Sequence, residues 1–189
     1  MHCLLFLGSP RKKGNTETLA AVVAGVLEKN GAHVERVRLC ELALAPCIAC
    51  GACRQNGRCI IDDDMQNLYL KIDEADTIII ASPIYFYGVT AQTKAFIDRT
   101  QALWSRKYLL KKRMVATGDK PRRGYFLSVA ATGGKKCFDG ATLTVRYCFD
   151  AMDISWGGSL VVPDLDHRGA MAKAHRELKK AEVFARSLL

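Results

Sequence analysis

The chain is 189 residues long, 49% hydrophobic and 25% charged, with a formal charge of +9. Its length and composition are those of one globular domain, residues 1–189, with a substantial core, and no apolar run approaches a membrane span, so a membrane protein is not expected. The charge points to acidic partners or ligands, but no recognition motif for nucleic acid accompanies it, and nucleic acid is not among the expected partners.

Residues 1–7 are apolar and run into Gly8-Ser9-Pro10. They lack a basic n-region and a cleavage site, so they are predicted to form a buried strand of a cytoplasmic protein and not a signal peptide. The next stretch is rich in hydroxyl, amide and basic groups and leads into an Ala/Val/Leu-rich helix over about residues 16–30, ended by Gly31. A loop between a first strand and a first helix offers free N–H groups and a favourable dipole to an anion. Ser9, Asn15 and Thr16 can donate to phosphate, Arg11 adds charge, and Gly14 permits close backbone approach. An ordinary capped turn with Asn15 as the cap is the competing reading. The glycine spacings of a Rossmann dinucleotide loop and of a P-loop are both absent.

Residues 33–39 alternate, with Val34, Val37 and Leu39 apolar, and are predicted to be the second strand. A loop at about 46–60 follows, in which Cys47, Cys50, Cys53 and Cys59 are separated by two, two and five residues. Thiolates clustered this way suit an iron–sulfur centre. Ala49, Gly51 and Ala52 let the backbone curl toward the sulfurs, and Gly57 lets it swing back to present Cys59. Structural zinc also takes four thiolates but favours two separated CxxC pairs. The same spacing is compatible with two disulfides, which fit a cytosolic chain poorly, and with reduced thiols that hold no cluster. Cys3, Cys40, Cys137 and Cys148 are scattered and expected to pack as small apolar side chains.

Asp62-Asp63-Asp64 is expected to cap a helix running to about Glu74. Residues 76–81 are short, β-branched and bounded by Ser82-Pro83, a strong strand pattern. The loop Ser82-Pro83-Ile84-Tyr85-Phe86-Tyr87-Gly88 then lies at the carboxyl end of a parallel strand, where open α/β sheets bind ligands. Its aromatics can pack on a flat ring or form a plain hydrophobic plug. A helix over about 91–100 comes next. Residues 103–123 carry eight Lys or Arg and one acid, Asp119, without clear periodicity. They are expected to be an exposed basic segment serving an interface, with a solvated loop as the competing reading. A fourth strand over 124–130 leads to Ala131-Thr132-Gly133-Gly134. A helix over 139–152, a fifth strand over 154–162 interrupted by Gly157-Gly158, and an amphipathic helix over about 168–189 complete the chain.

Five strands alternating with helices predict a doubly wound five-stranded parallel sheet, order 2-1-3-4-5, with helices on both faces. In that order the loops after strands one, three and four converge on one edge. One would take a phosphate and two would flank a flat ring, which fits a mononucleotide such as FMN.

Gly8-Ser9-Pro10-Arg11 with Gly14-Asn15-Thr16, Ser82-Pro83-Ile84-Tyr85 and Ala131-Thr132-Gly133-Gly134 resemble the NADPH-dependent FMN reductase branch of flavodoxin-like proteins. Cys47, Cys50, Cys53 and Cys59 narrow the resemblance to the iron–sulfur flavoproteins. It covers roughly residues 1–135. It implies noncovalent FMN, a [4Fe-4S] cluster on the four cysteines, a homodimer or homotetramer, and a cluster near a flavin that often belongs to a neighbouring subunit. It further implies electron passage from a low-potential donor such as ferredoxin through FMN. By motif match it implies phosphate binding by Ser9, Arg11, Gly14, Asn15 and Thr16. Isoalloxazine contact falls to Pro83, Ile84, Tyr85, Phe86 and Gly88, with Thr132 and Gly133 at the ring's edge. Similar proteins without the cluster act as NAD(P)H-dependent FMN or quinone reductases, which is the alternative function. No catalytic acid–base pair is expected: His2, His33, His167 and His175 are scattered, and the cofactors supply the chemistry.

Overall fold

Five parallel strands form one sheet in the order β2-β1-β3-β4-β5 in the computed structural model, which describes residues 1–112 and 121–189. The strands are β1 (His2–Leu7), β2 (His33–Arg38), β3 (Thr77–Ala81), β4 (Arg123–Val129) and β5 (Ser155–Val162). This is the flavodoxin-like order predicted. The central strands β1 and β3 are buried on both faces, which is why they read as unbroken apolar runs. Their side chains alternate across the sheet. Leu4, Phe6, Ile78, Ile80 and Phe126 enter one core, and Leu5, Leu7, Ile79, Tyr125 and Leu127 enter the other.

Helix α1 (Asn15–Lys29) and helix α8 (His175–Arg186) cover the second of these faces. Leu19, Ala20, Val23, Ala24 and Leu27 recur at helical spacing and form the buried stripe of α1. Full burial of each larger side chain there contributes about 1.5–3 kcal/mol. Three helices cover the first face: α3 (Met65–Glu74), α4 (Ala91–Arg99) and α6 (Asp139–Ala151). Three short helices complete the set: α2 (Cys53–Asn56), α5 (Gln101–Trp104) and α7 (Ala170–Lys173). Among the described residues, no helix is long and apolar enough to cross a membrane.

Three local expectations and one competing reading are corrected. Residues 103–123 are not one exposed basic segment. The chain from Gln101 continues as α5 and then a π-type turn, Ser105–Leu109, with Leu103 and Ser105 buried. Arg106 pairs with Asp73, Lys107 pairs with Asp150 and Asp153, and Arg122 is buried, donating to the Ile72 and Ala75 carbonyls. Lys111, Lys112 and Arg123 are the exposed cations among the described residues of this stretch, while residues 113–120 lie outside them. The acidic triplet does more than cap α3. Asp63 accepts from the Met65 N–H, but its carboxylate also meets Arg99, and Asp64 accepts from the Ala43 N–H. Asn15 is not the cap of α1, since Gly14 holds that position. The C-terminal helix is broken at Ala174 into α7 and α8.

The glycine pair of β5 makes the irregularity expected of it. Gly124 faces Trp156 while Tyr125 faces Gly158, so Gly157 is the extra residue. A Cβ on Gly157 would lie 2.4 Å from the Tyr125 ring, so only glycine lets that ring pack there.

Candidate functional site

The loops after β1, β3, β4 and β5 meet at the carboxyl edge of the sheet. Their backbones are tied directly: Gly8 N–H donates to Ala81 O at 2.8 Å, Ile84 N–H to Val129 O at 3.0 Å, and Leu165 N–H to Ala130 O at 3.0 Å. Buried hydroxyls finish the weave. Ser82 Oγ accepts from Thr90 N–H, Ser128 Oγ donates to Ser82 O, and Thr90 Oγ1 donates to Gly8 O at 2.7 Å. Gly8 has no room for a side chain, since its Cβ would stand 1.9 Å from Thr93 Oγ1.

These ties shape a small cavity of about 130 Å³. Eight of the residues expected at the site line it: Ser9, Arg11, Gly14, Asn15, Thr16, Pro83, Ile84 and Tyr85. The first turn of α1 contributes N–H groups that have no intrahelical acceptor. Thr16 is 3% exposed, and its hydroxyl has no protein partner among the described residues. Arg11 brings positive charge. Asn15 plays a different part from the one read in the sequence. Its Nδ2 donates to Leu165 O and His167 O, and its Oδ1 accepts from Met171 N–H, so its amide holds the loop after β5 in place.

That loop is what sequence reasoning missed. Leu165, Asp166 and Arg168 line the cavity too, with Arg168 held by the Lys12 carbonyl at 2.9 Å. The available signal was general: in this fold every loop at a carboxyl strand end is a candidate, the fifth included. With Arg11 and Arg168 on its wall against one carboxylate, Asp166, the cavity has the chemistry of an anion site.

Four expected residues stand outside the cavity lining. Phe86 is fully exposed, at the tip of a two-residue turn in which Tyr85 and Gly88 exchange N–H···O bonds of 2.9 and 3.0 Å. Phe86 and Tyr87 both have positive φ, 48° and 62°, the arrangement of a type I′ turn that favours Asn-Gly. Two aromatics there are strained. Gly88 closes the turn, Thr132 is exposed, and Gly133 packs under Asp164.

The cysteine loop forms a second, separate site on the α3–α6 side of the sheet. Cys47, Cys50, Cys53 and Cys59 all line one cavity of about 430 Å³. The loop bends at Ala49, Gly51 and Gly57, which have φ of 54°, 76° and 75°. A Cβ on Gly57 would lie 2.5 Å from the Arg106 side chain, which donates to Gly57 O at 2.9 Å. Cys47 and Cys50 are exposed, while Cys53 and Cys59 are half-buried against the core. Ser105 Oγ lies 3.6 Å from Cys53 Sγ. All eight cysteines are free, and among the described residues no three His, Cys, Asp or Glu side chains converge closely enough to hold a metal ion. No described residue lines both this cavity and the sheet-edge one.

Below the cysteines lies Arg99. Burial disfavours its charge, yet the hydrogen bonds to the Asp63 carboxylate hold the guanidinium well above its ordinary range. Burial likewise pushes the Asp63 carboxyl up, but its bonds from Arg99 and from the Ala45 and Met65 N–H groups win and leave it below the usual value. Both groups are therefore ionised at neutral pH.

A family model described as NADPH-dependent FMN reductase matches residues 1–153. The chain is 37% identical over 164 residues to an iron-sulfur flavoprotein of Methanosarcina thermophila, covering 87% of this chain and 78% of that one. It is 42% identical over 96 residues to an iron-sulfur flavoprotein of Methanocaldococcus jannaschii, a match spanning 51% of this chain and only 50% of that relative. Among solved structures, an NAD(P)H:quinone oxidoreductase from Methanothermobacter marburgensis superimposes with a TM-score of 0.69 at 13% identity, over 100% of this chain and 96% of that one, which shows the shared fold.

Proposed function

This chain belongs to the NADPH-dependent FMN reductase family, among its iron–sulfur flavoproteins, and on that premise we propose that it passes electrons between a low-potential donor protein such as ferredoxin and an acceptor, through noncovalent FMN and a [4Fe-4S] cluster. The family is one of FMN-dependent oxidoreductases; the cluster, the donor and the residue roles are the finer parts of the proposal. The observation that supports it most is the pairing, in one chain, of an anion cavity at the sheet edge with a cavity lined by four free thiols.

The sheet-edge residues fit FMN through its phosphate. The unpartnered Thr16 hydroxyl and the first N–H groups of α1 would donate to it, Arg11 and Arg168 would balance its charge, and Asn15 would hold Arg168's loop in register. Pro83, Ile84 and Tyr85 would lie against the isoalloxazine, with Phe86, Gly88, Thr132 and Gly133 at its rim. FMN, when bound, exchanges one or two electrons. The cysteine cavity fits a cluster in donor type and number: Cys47, Cys50, Cys53 and Cys59 would hold four irons, and the cluster would supply single-electron transfer. Because no described residue lines both cavities, the flavin serving a given cluster is proposed to come from a neighbouring copy in a homodimer or homotetramer. The exposed Tyr85-Phe86-Tyr87 rings, which need cover, support that arrangement.

Anaerobic purification followed by iron, labile sulfide and flavin analysis tests the proposal. One FMN with four irons and four sulfides per chain is expected. Stoichiometric zinc without sulfide would replace the cluster by a structural metal. The second reading is a cluster-free NAD(P)H-dependent FMN or quinone reductase, and the absence of three converging thiols among the described residues favours it. Iron-free protein that reduces a quinone with NAD(P)H as fast as the iron-loaded protein does would establish that reading.

A further inference from the structure

First among the largest fully buried side chains of this protein is a charged one, Arg99, at the C-terminal end of α4. Its four terminal N–H groups reach across the two ends of the cysteine loop. Nη1 donates to Ala45 O at 2.8 Å and to Asp63 Oδ2 at 2.6 Å. Nη2 donates to Ile61 O at 3.3 Å and to Asp63 Oδ1 at 2.9 Å. Asp63 completes the closure by accepting from Ala45 N–H at 2.9 Å. Residues 45 and 61–63 are the neck of the loop that carries all four cysteines, so a single guanidinium closes that neck.

Stability alone does not explain the pair. A buried ion pair can often be replaced by apolar residues of similar volume without loss, because desolvation offsets the attraction. The fifth N–H of Arg99, on Nε, is also buried and has no acceptor among the described residues. A buried, charged donor left unmatched is costly, and Arg99 is part of the wall of the cysteine cavity. Sulfur in that cavity is the chemistry that would accept from it, since thiolate-ligated clusters are anionic and their properties depend on hydrogen bonds to sulfur.

We propose that Arg99, braced by Asp63, is a positioning residue for the cluster: it closes the neck of the cysteine loop and supplies its Nε–H and positive charge to the sulfur bound there. The inference rests on the cluster reading above and deepens it. It asks nothing of the flavin site, which other loops line.

The test uses the full-length chain carrying Arg99→Met with Asp63→Leu, an apolar pair that preserves packing, beside Arg99→Lys, which keeps the charge but cannot make the forked contacts. Each protein is reconstituted anaerobically with ferrous iron and sulfide. Iron loss to a chelator and the cluster's reduction potential are then measured, with the denaturation midpoint and FMN content as controls for folding. The apolar pair leaves the Ala45 and Ile61 carbonyls and the Ala45 and Met65 N–H groups without these partners, so its denaturation midpoint is expected to fall. It is expected to lose iron about 10–100-fold faster, beyond what the lowered midpoint accounts for, the usual cost of removing a partner of a metal ligand. Its potential should be more negative, because the Nε–H bond to sulfur that favours the reduced, more anionic cluster is gone, while the charges of Arg99 and Asp63 leave together. Arg99→Lys should lose iron at an intermediate rate. If the apolar pair retains iron at the wild-type rate and potential, the inference is overturned. If it loses iron only in proportion to a lowered denaturation midpoint and keeps the potential, the role is structural and the inference is again overturned. Wild-type protein that takes up no iron and sulfide overturns the cluster reading itself, and this inference with it.

Discussion

The Asn15 side-chain amide donates to the backbone carbonyl of His167 at 2.9 Å, joining the start of α1 to the loop after β5 across 152 positions of sequence. Together with the Leu165 and Met171 contacts, this bond seats Arg168 beside the anion cavity. Asn15→Ala is expected to lower apoprotein stability by about 1 kcal/mol, the net worth of hydrogen bonds that are part-buried or exposed, and to weaken FMN binding indirectly. Thr16→Val should weaken FMN binding with little change in apoprotein stability, since its hydroxyl has no protein partner to lose. Denaturant titration of apoprotein and flavin titration by fluorescence separate the two effects.

Gly8 is expected to tolerate no side chain. Gly8→Ala would drive a methyl group into Thr93 Oγ1, and overpacking of this kind costs about 1–3 kcal/mol. Adding Thr93→Ala should recover part of the loss, because the colliding oxygen is removed. Denaturation midpoints of the single and double variants check this.

The Phe86–Tyr87 turn stores strain in two positive-φ aromatics. Replacing them with Phe86→Asn and Tyr87→Gly supplies the residues a type I′ turn favours and should stabilise the apoprotein by about 1 kcal/mol. Flavin should then dissociate faster, since the exposed rings are gone. An unchanged flavin affinity would remove these rings from the site.

Burial pushes the Cys3 and Cys148 thiols up to about 12. A raised value means the neutral, unreactive thiol persists from neutral pH until the pH approaches that value. Alkylation of apoprotein at pH 8, mapped by mass spectrometry, should therefore label the exposed Cys47 and Cys50 and spare Cys3 and Cys148. Reconstitution with iron and sulfide should protect Cys47 and Cys50 as well.

Lys111 and Lys112 are exposed cations of the basic stretch, next to the π-type turn that packs on the cysteine loop. Lys111→Glu with Lys112→Glu is expected to slow electron delivery from an acidic donor and to reduce its salt dependence. A drop in oligomer mass in the same variant would assign these residues to assembly.

Much of this protein was legible from local pattern. The β-branched run at Thr77–Ala81, the Ala/Val/Leu stripe of α1 and the turn residues at Gly8 and Ser82 each declare themselves within a few residues, because strand and helix periodicity are short-range properties. Once the strands alternate with helices, right-handed crossovers leave few sheet orders, so the order 2-1-3-4-5 and the meeting of three loops at one edge followed. The cysteine spacing was equally local.

Contacts between distant segments were decided by the tertiary structure alone. Nothing near Arg99 in sequence announces that it will be buried under residues 45–63, and nothing near Asn15 announces the loop at 165–171. The basic stretch looked uniform because charge is counted along the chain. Folding instead sorted it by partner: Arg106 to Asp73, Lys107 to Asp150, Arg122 into the interior, and Lys111, Lys112 and Arg123 to solvent. A charged side chain enters the interior only where hydrogen-bonding partners meet it, and those partners are brought together by the closed sheet and its packed helices.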